Sequence, residues 1–266
     1  MDISSATLLY FSPTRTTRAI LEGITGGMPG ITMDHVDLTP PDAFKQELAI
    51  ADHALTVIGA PVYAGRIPLE AIRRLQRVRG QRTPAIVVVV YGNRAYDDAL
   101  LELRDVVAER GFVPVAAGAF IGEHSFSTTS TPIAVARPDA QDLSFCRGFG
   151  AQAIEKVRRT PVLNALPVIA VPGNMPYKER RAPFHVCPVR DEALCVLCGN
   201  CASVCPMAAI TIGETVVSDP EVCILCCACV RQCPQGARSI ADGGVRQIAE
   251  RLHRTCGVRR NPEIYL

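Results

Sequence analysis

Twelve cysteines stand in a chain of 266 residues, and nine of them fall between Cys195 and Cys233. Within that stretch Cys195, Cys198, Cys201 and Cys205, followed by Pro206, spell C-x-x-C-x-x-C-x-x-x-C-P. Cys223, Cys226, Cys229 and Cys233, followed by Pro234, spell it a second time. Two-residue spacing curls the backbone around one polynuclear centre, so three thiolates of each run are suited to hold three irons of a four-iron cube. A disulfide framework would spread its cysteines along the chain rather than crowd them. Structural zinc is the competing chemistry, but it draws four ligands from two well-separated pairs and has no use for a triple followed by Cys-Pro. The expected groups are two [4Fe-4S] clusters, whose chemistry is the movement of single electrons.

In proteins that carry two such clusters, the last cysteine of each run ligates the cluster of the other run. One cluster is therefore expected on Cys195, Cys198, Cys201 and Cys233, and the other on Cys223, Cys226, Cys229 and Cys205. Cys227 breaks the rhythm of the second run, and a ligand there would stand too close to Cys229. Like Cys146, Cys187 and Cys256, it is expected to be a small packed side chain.

The rest of the chain must position these centres. From residue 6 to about 160, β-rich apolar runs alternate with amphipathic helical patterns, the signature of a parallel sheet covered on both faces. Strands are expected at 6–12, 31–38, 54–63, 85–93 and 112–123, and helices at 17–26, 41–49, 68–78, 96–110 and 139–159. This predicts an α/β, flavodoxin-like, doubly wound sheet of order 2-1-3-4-5, with its ligand site beyond the C-terminal ends of strands 1 and 3. The domains expected are 1–160 for this unit, 161–185 for an extended proline-rich linker, 186–242 for a small α+β ferredoxin-like module, and 243–266 for a C-terminal helix and tail. Val245, Ile248, Ala249 and Leu252 form one apolar stripe in that last helix, and the small module has little core to cover it, so the tail should pack back on the larger domain.

Three loops meet at the expected crevice. Ser12, Thr14, Arg15, Thr16 and Thr17 follow strand 1 and open helix 1, where a phosphate would accept backbone N–H groups and feel the positive helix end. The bland alternative for this loop is a Ser/Thr helix cap without a ligand. Pro61, Val62, Tyr63, Gly65 and Arg66 follow strand 3. Tyr91, Gly92, Asn93, Arg94 and Tyr96 follow strand 4, and the rings of Tyr63, Tyr91 and Tyr96 are suited to lie near a planar flavin. His124, beyond strand 5, is expected to cap the strand end at the rim.

With Ser12-Pro13-Thr14, Thr16-Thr17, the 61–66 and 91–94 loops, Glu123-His124-Ser125, Val171-Pro172-Gly173-Asn174 and both cysteine runs, the chain resembles the flavodoxin-ferredoxin fusion proteins over nearly its whole length. The resemblance implies FMN, its phosphate in the loop at 12–17 and its ring between the loops at 61–66 and 91–96. It also implies a redox protein of anaerobic metabolism. One departure stands out: flavodoxin phosphate loops usually carry glycine where this chain has Arg15.

Composition narrows the remaining choices. The net charge of +2 and the lack of a Lys/Arg tract with interleaved aromatics speak against nucleic acid. No apolar run reaches the length of a membrane span, and the N-terminus shows no signal-peptide core, so a cytoplasmic protein is expected. Gly148-Phe149-Gly150-Ala151-Gln152-Ala153 satisfies a dinucleotide pattern but sits inside a helical stretch with no strand before it, and is set aside. Lys178, Arg180 and Arg181 in the linker are expected to be solvated or to face a partner. An electron carrier serving redox partner proteins is favoured over an FMN-dependent reductase of a small substrate fed by its own ferredoxin module. A flavodoxin-like half that has lost FMN is the third possibility.

Overall fold

The computed structural model describes residues 3–43, 47–51, 54–160, 163 and 168–266. The first part of the chain runs β1 (Ser5–Tyr10), α1 (Thr16–Thr25), β2 (Thr32–Asp37), β3 (Leu48–Ile50), β4 (Leu55–Pro61), α2 (Leu69–Leu75), β5 (Val78–Gly80), β6 (Thr83–Tyr91), α3 (Ala99–Glu109), β7 (Phe112–Ile121) and α4 (Ala140–Arg159). The main sheet has the order β2-β1-β4-β6-β7, all parallel, which is the flavodoxin-like 2-1-3-4-5 arrangement.

Alternation along the central strands explains why they read as unbroken apolar runs. In β6, Ala85, Val87, Val89 and Tyr91 enter one core with α2 and α3, while Ile86, Val88 and Val90 enter the other with α1 and α4. A strand buried on both faces has no polar side to show. The set-aside dinucleotide pattern lies within α4, where a Cβ on Gly150 would sit 1.9 Å from the carbonyl oxygen of Ile24; that glycine lets α4 close onto α1.

Part of the chain departs from expectation. Over 41–49 no helix ends the segment: Leu48–Ile50 is instead strand β3, paired in parallel with β5, and residues 44–46 lie outside the described residues. The run Leu48-Ala49-Ile50 gains more by burying Ile50 and by its carbonyl accepting a hydrogen bond from Thr83 Oγ1 (2.9 Å) than by closing a short helix.

The second part runs β8 (Val189–Arg190), α5 (Asn200–Ser203), β9 (Ile210–Ile212), β10 (Val216–Ser218), α6 (Ala228–Arg231), β11 (Arg238–Ser239), α7 (Gly243–Thr255) and β12 (Glu263–Tyr265). Two antiparallel pairs, β8 with β11 and β9 with β10, frame the cysteine module. Strand β12 then returns to the main sheet and pairs antiparallel with β7, Tyr265 opposite Ala117, making a sixth strand. Ile248 and Leu252 of α7, with Cys256 just after it, cover Ile133. Among the described residues no helix is long and apolar enough to cross a membrane.

Candidate redox centres

The cysteine module is two copies of one backbone design. Leu197 and Leu225 take left-handed φ values of 53° and 51°, Gly199 and Cys227 take 78° and 60°, and Ala208 and Gly236 take 51° and 63°. Each pair occupies the same place in its run. Cys227 therefore stands where the other half has the glycine that precedes its short helix, which accounts for the doubled cysteine. Its thiol is buried and donates to the Leu225 carbonyl (3.5 Å), a packed side chain as the spacing suggests.

Each copy encloses a cavity. One is lined by Cys195, Cys198, Cys201 and Cys233; the other is lined by Cys223, Cys226, Cys229 and Cys205, with Cys227 also at its wall. These are the crossed sets, with the last cysteine of each run reaching the other run's cavity. In each set the four cysteines line one shared space. The donor set fits a cluster. The N–H groups of Ala209 and Ala237 point at Cys205 Sγ and Cys233 Sγ, both at 3.3 Å, a matched pair of donors to sulfur of the kind that tunes a cluster. Burial raises the thiol pKa of Cys226 to about 12 and that of Cys223 to about 11, so empty sites would hold protons that cluster assembly must displace. Cys187, a packed thiol by sequence, also borders the second cavity but donates to the Ser218 carbonyl.

The module docks over the C-terminal ends of the parallel strands. Arg74 of α2 lies over the Phe11 ring, donates to the carbonyls of Leu38 (2.6 Å), Thr39 (2.6 Å) and Pro40 (2.9 Å), and reaches the carbonyl of Pro206 at 2.5 Å. Arg231 donates to Glu123 Oε1 and to the His124 carbonyl, both at 2.8 Å, and Gln232 Nε2 donates to the Pro13 carbonyl at 3.1 Å. Ile224, between two cysteines of the second run, packs against the core shared by Phe11 and Ile67. Tyr63 has its hydroxyl pKa raised well above the usual value, first by burial and then by the nearby thiols of Cys226, Cys227 and Cys223. The second cysteine run thus lies near the loop after β4.

The loop at 12–17 has the donor set of a phosphate cradle. Thr16 and Thr17 open α1, so their N–H groups have no intrahelical acceptor. Thr17 Oγ1 is buried without a hydrogen-bond partner, and Thr14 Oγ1 lies 3.1 Å from Thr16 Oγ1. Ser12 is already engaged, its Oγ accepting from the Arg18 N–H at 3.0 Å. Arg15 is exposed and left-handed, φ 64° and ψ −2°, which is why glycine suits this place and why the side chain here extends into solvent. Arg15→Gly is expected to raise the stability of the cofactor-free protein by about 0.5–1 kcal/mol in urea unfolding, the relief of a left-handed side chain less the flexibility glycine adds to the unfolded chain.

The other two loops are less uniform than their sequence suggests. Ala64 and Gly65 form a tight turn closed by paired bonds between Tyr63 and Arg66, and a Cβ on Gly65 would strike Asp97. The Arg66 side chain turns away to pair with buried Glu102 at 2.7 Å. Four further side chains expected to face a flavin are committed elsewhere. Tyr91 and Tyr96 are core residues with ring centroids 5.4 Å apart, and Tyr96 donates to Glu263 Oε2 at 2.6 Å. Asn93 donates to the carbonyls of Cys256 (2.7 Å) and Val258 (2.8 Å), and Arg94 pairs with Asp97. For Asn93 and Tyr96 the physical reason is the returning tail, whose strand and approach segment use these groups as anchors. What the loop after β6 leaves for a planar ligand is backbone around Gly92.

His124 sits against Gly92, and its Nδ1 accepts the Phe126 N–H at 3.0 Å, so the ring is neutral with the proton on Nε2. Burial, then Arg231 and Arg94, push its pKa down to about 4. The unfolded chain binds a proton near the ordinary value of about 6.5 while the folded protein resists until about 4, so stability is lost as pH falls through that window. His124→Asn is expected to remove this slope, worth on the order of 2–3 kcal/mol across the window, when unfolding is followed from pH 7 to pH 4.

The linker forms a strap rather than a free connector. Asp98, buried, accepts from the N–H groups of Asn174 (2.8 Å) and Lys178 (2.6 Å), and Tyr177 donates to Asp105 Oδ2 at 2.5 Å. Lys178 and Arg180, read as solvated or partner-facing, pair with Asp97 and Glu102; Arg181 is exposed. Residues 161, 162 and 164–167 of this stretch lie outside the described residues.

Comparison with known proteins agrees on the module. Residues 187–234 match the 4Fe-4S dicluster domain family. No curated protein matches the chain. Among solved structures, a flavodoxin from the domain Archaea shares 16% identity at a TM-score of 0.38, covering 58% of this chain and 99% of its own. Flavodoxin 2 from Bacillus cereus shares 15% at 0.40, covering 57% and 99%. The rubredoxin oxygen:oxidoreductase from the anaerobe Desulfovibrio gigas shares 13% at 0.40, covering 59% of this chain and 37% of its own. Scores this low add nothing to the strand order, which establishes the fold by itself. The chain thus joins a parallel sheet of flavodoxin-like order to a segment, residues 187–234, that matches the 4Fe-4S dicluster domain family.

Proposed function

We propose that the protein passes electrons between redox partner proteins by way of two [4Fe-4S] clusters and FMN, in the cytoplasm and in anaerobic metabolism. Clusters supply one-electron steps and a flavin supplies one- or two-electron steps, so the pair couples the two kinds of chemistry. The observation that carries the reading is the seating of the second cysteine run on the large domain, where Ile224 packs against the core of Phe11 and Ile67 and Gln232 donates to the Pro13 carbonyl beside the loop at 12–17. The first cavity supports an electron port at the surface, since Cys198 is exposed. Twelve free cysteines fit a reducing compartment.

In this reading Thr14, Thr16 and Thr17 hold the FMN phosphate by hydroxyl and backbone N–H donors. The ring lies against the backbone of 61–65 and of Gly92. Arg74, Arg231 and Gln232 keep the module seated over it. Anaerobic purification followed by stepwise redox titration in visible light tests this. About eight irons and one FMN per chain, titrating as separate centres, is the expected result. Tightly bound zinc without sulfide, or protein that never binds flavin, overturns it. Thr17→Val is expected to weaken FMN binding at least tenfold in flavin fluorescence titration, because it removes from this loop a buried hydroxyl that has no protein partner.

A further inference from the structure

The internal symmetry of the module is broken at one buried position. Aligning the two runs through Cys205-Pro206 and Cys233-Pro234 places Arg238 where the first half has Ile210. Both residues are buried, at 4% and 9% exposure, but one is a hydrocarbon and the other a permanent cation. Arg238 borders both cysteine cavities. One nitrogen donates to the Pro188 carbonyl and to Ser218 Oγ, each at 2.7 Å, while Nε is buried with no partner in the protein. No carboxylate pairs with it among the described residues. An uncompensated guanidinium in a site this dry is costly unless negative charge lies next to it.

We propose that Arg238 is a buried cation shared by the two clusters, which raises the reduction potential of both and favours the state in which both are reduced. Each one-electron reduction, with the electron supplied by an external reductant, adds one negative charge to a cluster. A fixed positive charge between the cavities stabilises each of those charges, so the doubly reduced module gains the interaction twice. Net charge and hydrogen bonds to sulfur are among the factors that set cluster potentials, and Arg238 supplies the first and has an unused Nε donor for the second. Two electrons held together in the module match the two that a flavin takes.

The inference rests on the reading that both cavities hold clusters, and the test separates the two. Wild-type protein, Arg238→Met and Arg238→Lys are purified anaerobically, assayed for iron and sulfide, and titrated with EPR detection of the reduced clusters. Arg238→Met with full iron should show both midpoints displaced to more negative potential, by at least a tenfold change in the reduction equilibrium, about 59 mV for one electron. Arg238→Lys, which keeps the charge, should remain near wild type. Midpoints in Arg238→Met that coincide with wild type overturn the role of Arg238 and leave the clusters standing. Wild-type protein without iron and sulfide overturns the cluster reading itself. If Arg238→Met fails to fold, Arg238→Gln, which keeps a donor toward Pro188, carries the same comparison with the same two outcomes.

Discussion

Cys233→Ala is expected to leave the protein with half of its iron, falling from about eight to about four per chain. Cys233 lies in the second run by sequence, yet it borders the cavity of Cys195, Cys198 and Cys201. The lost cluster should therefore be the one on the first run. Cys205→Ala is the mirror experiment and should remove the cluster of Cys223, Cys226 and Cys229. The two variants differ in consequence. Loss through Cys205 removes the centre that lies near Tyr63, so a flavin should no longer be reduced by way of the remaining cluster. Loss through Cys233 removes the centre nearer the surface and should slow exchange with an external partner while leaving the inner cluster and flavin in contact. Cys227→Ala, at the wall of the second cavity but with its thiol committed to the Leu225 carbonyl, should keep all the iron. Iron and sulfide assays with EPR of the reduced protein read each case. Retention of both clusters in Cys233→Ala and Cys205→Ala alike would refute the crossed arrangement.

Arg74→Met is expected to unseat the cysteine module from the large domain without dissolving either one. Arg74 is 8% exposed, paired with Glu70 at 2.7 Å, and spans three carbonyls of the β2-side loop and that of Pro206. Methionine matches much of the stem but leaves those carbonyls without a donor. At a net 0.5–1.5 kcal/mol for each lost bond, with part recovered by water, the cost is about 3 kcal/mol. Only the bond to Pro206 crosses to the module, so about 1 kcal/mol of this falls on the interface directly and the rest loosens the loop after β2 that Arg74 holds beside it, while α2 still buries Ala71 and Leu75. Limited proteolysis should cut between the domains sooner, and flavin reduction by the clusters should slow while cluster and flavin contents stay at wild-type levels. Unchanged proteolysis and unchanged cluster-to-flavin transfer would show that Arg231, Gln232 and the strap hold the module without Arg74.

The α/β sheet was legible because its strands carry their own signal. A run such as Ala85 to Tyr91 has no polar face, and a chain in which such runs alternate with helical patterns has few ways to fold. The dicluster module was legible for a different reason, since the spacing of its cysteines is a repeated pattern in its own right. The loop at 12–17 was readable as a helix N-terminus rich in hydroxyls, and the structure adds that Thr17 has a buried hydroxyl to spare. The loop after β6 misled because composition cannot tell which partner a tyrosine or asparagine will find. Asn93 and Tyr96 are anchored by residues more than 160 positions away, a pairing no local pattern reveals. Glu263 to Tyr265 is too short a run to announce a strand. The strap around Asp98 hides for a similar reason: its energy comes from backbone N–H groups of 174 and 178, which every sequence has. Arg238 leaves one trace, visible only when the two halves of the module are laid over each other and a charge appears opposite Ile210.

Because β12 joins the sheet after the module has been traversed, the cysteine segment is threaded as an insert between two neighbouring strands of one sheet. Its two ends are both fastened to the same body, one by the strap and one by the strand. The ribosome releases residues 263–265 only after both cysteine runs have emerged, so until then the outer edge of β7 is bare and open to pairing with another copy. Newly made protein should therefore be most prone to clumping in the interval before its tail is free, and removing that tail should make the interval permanent.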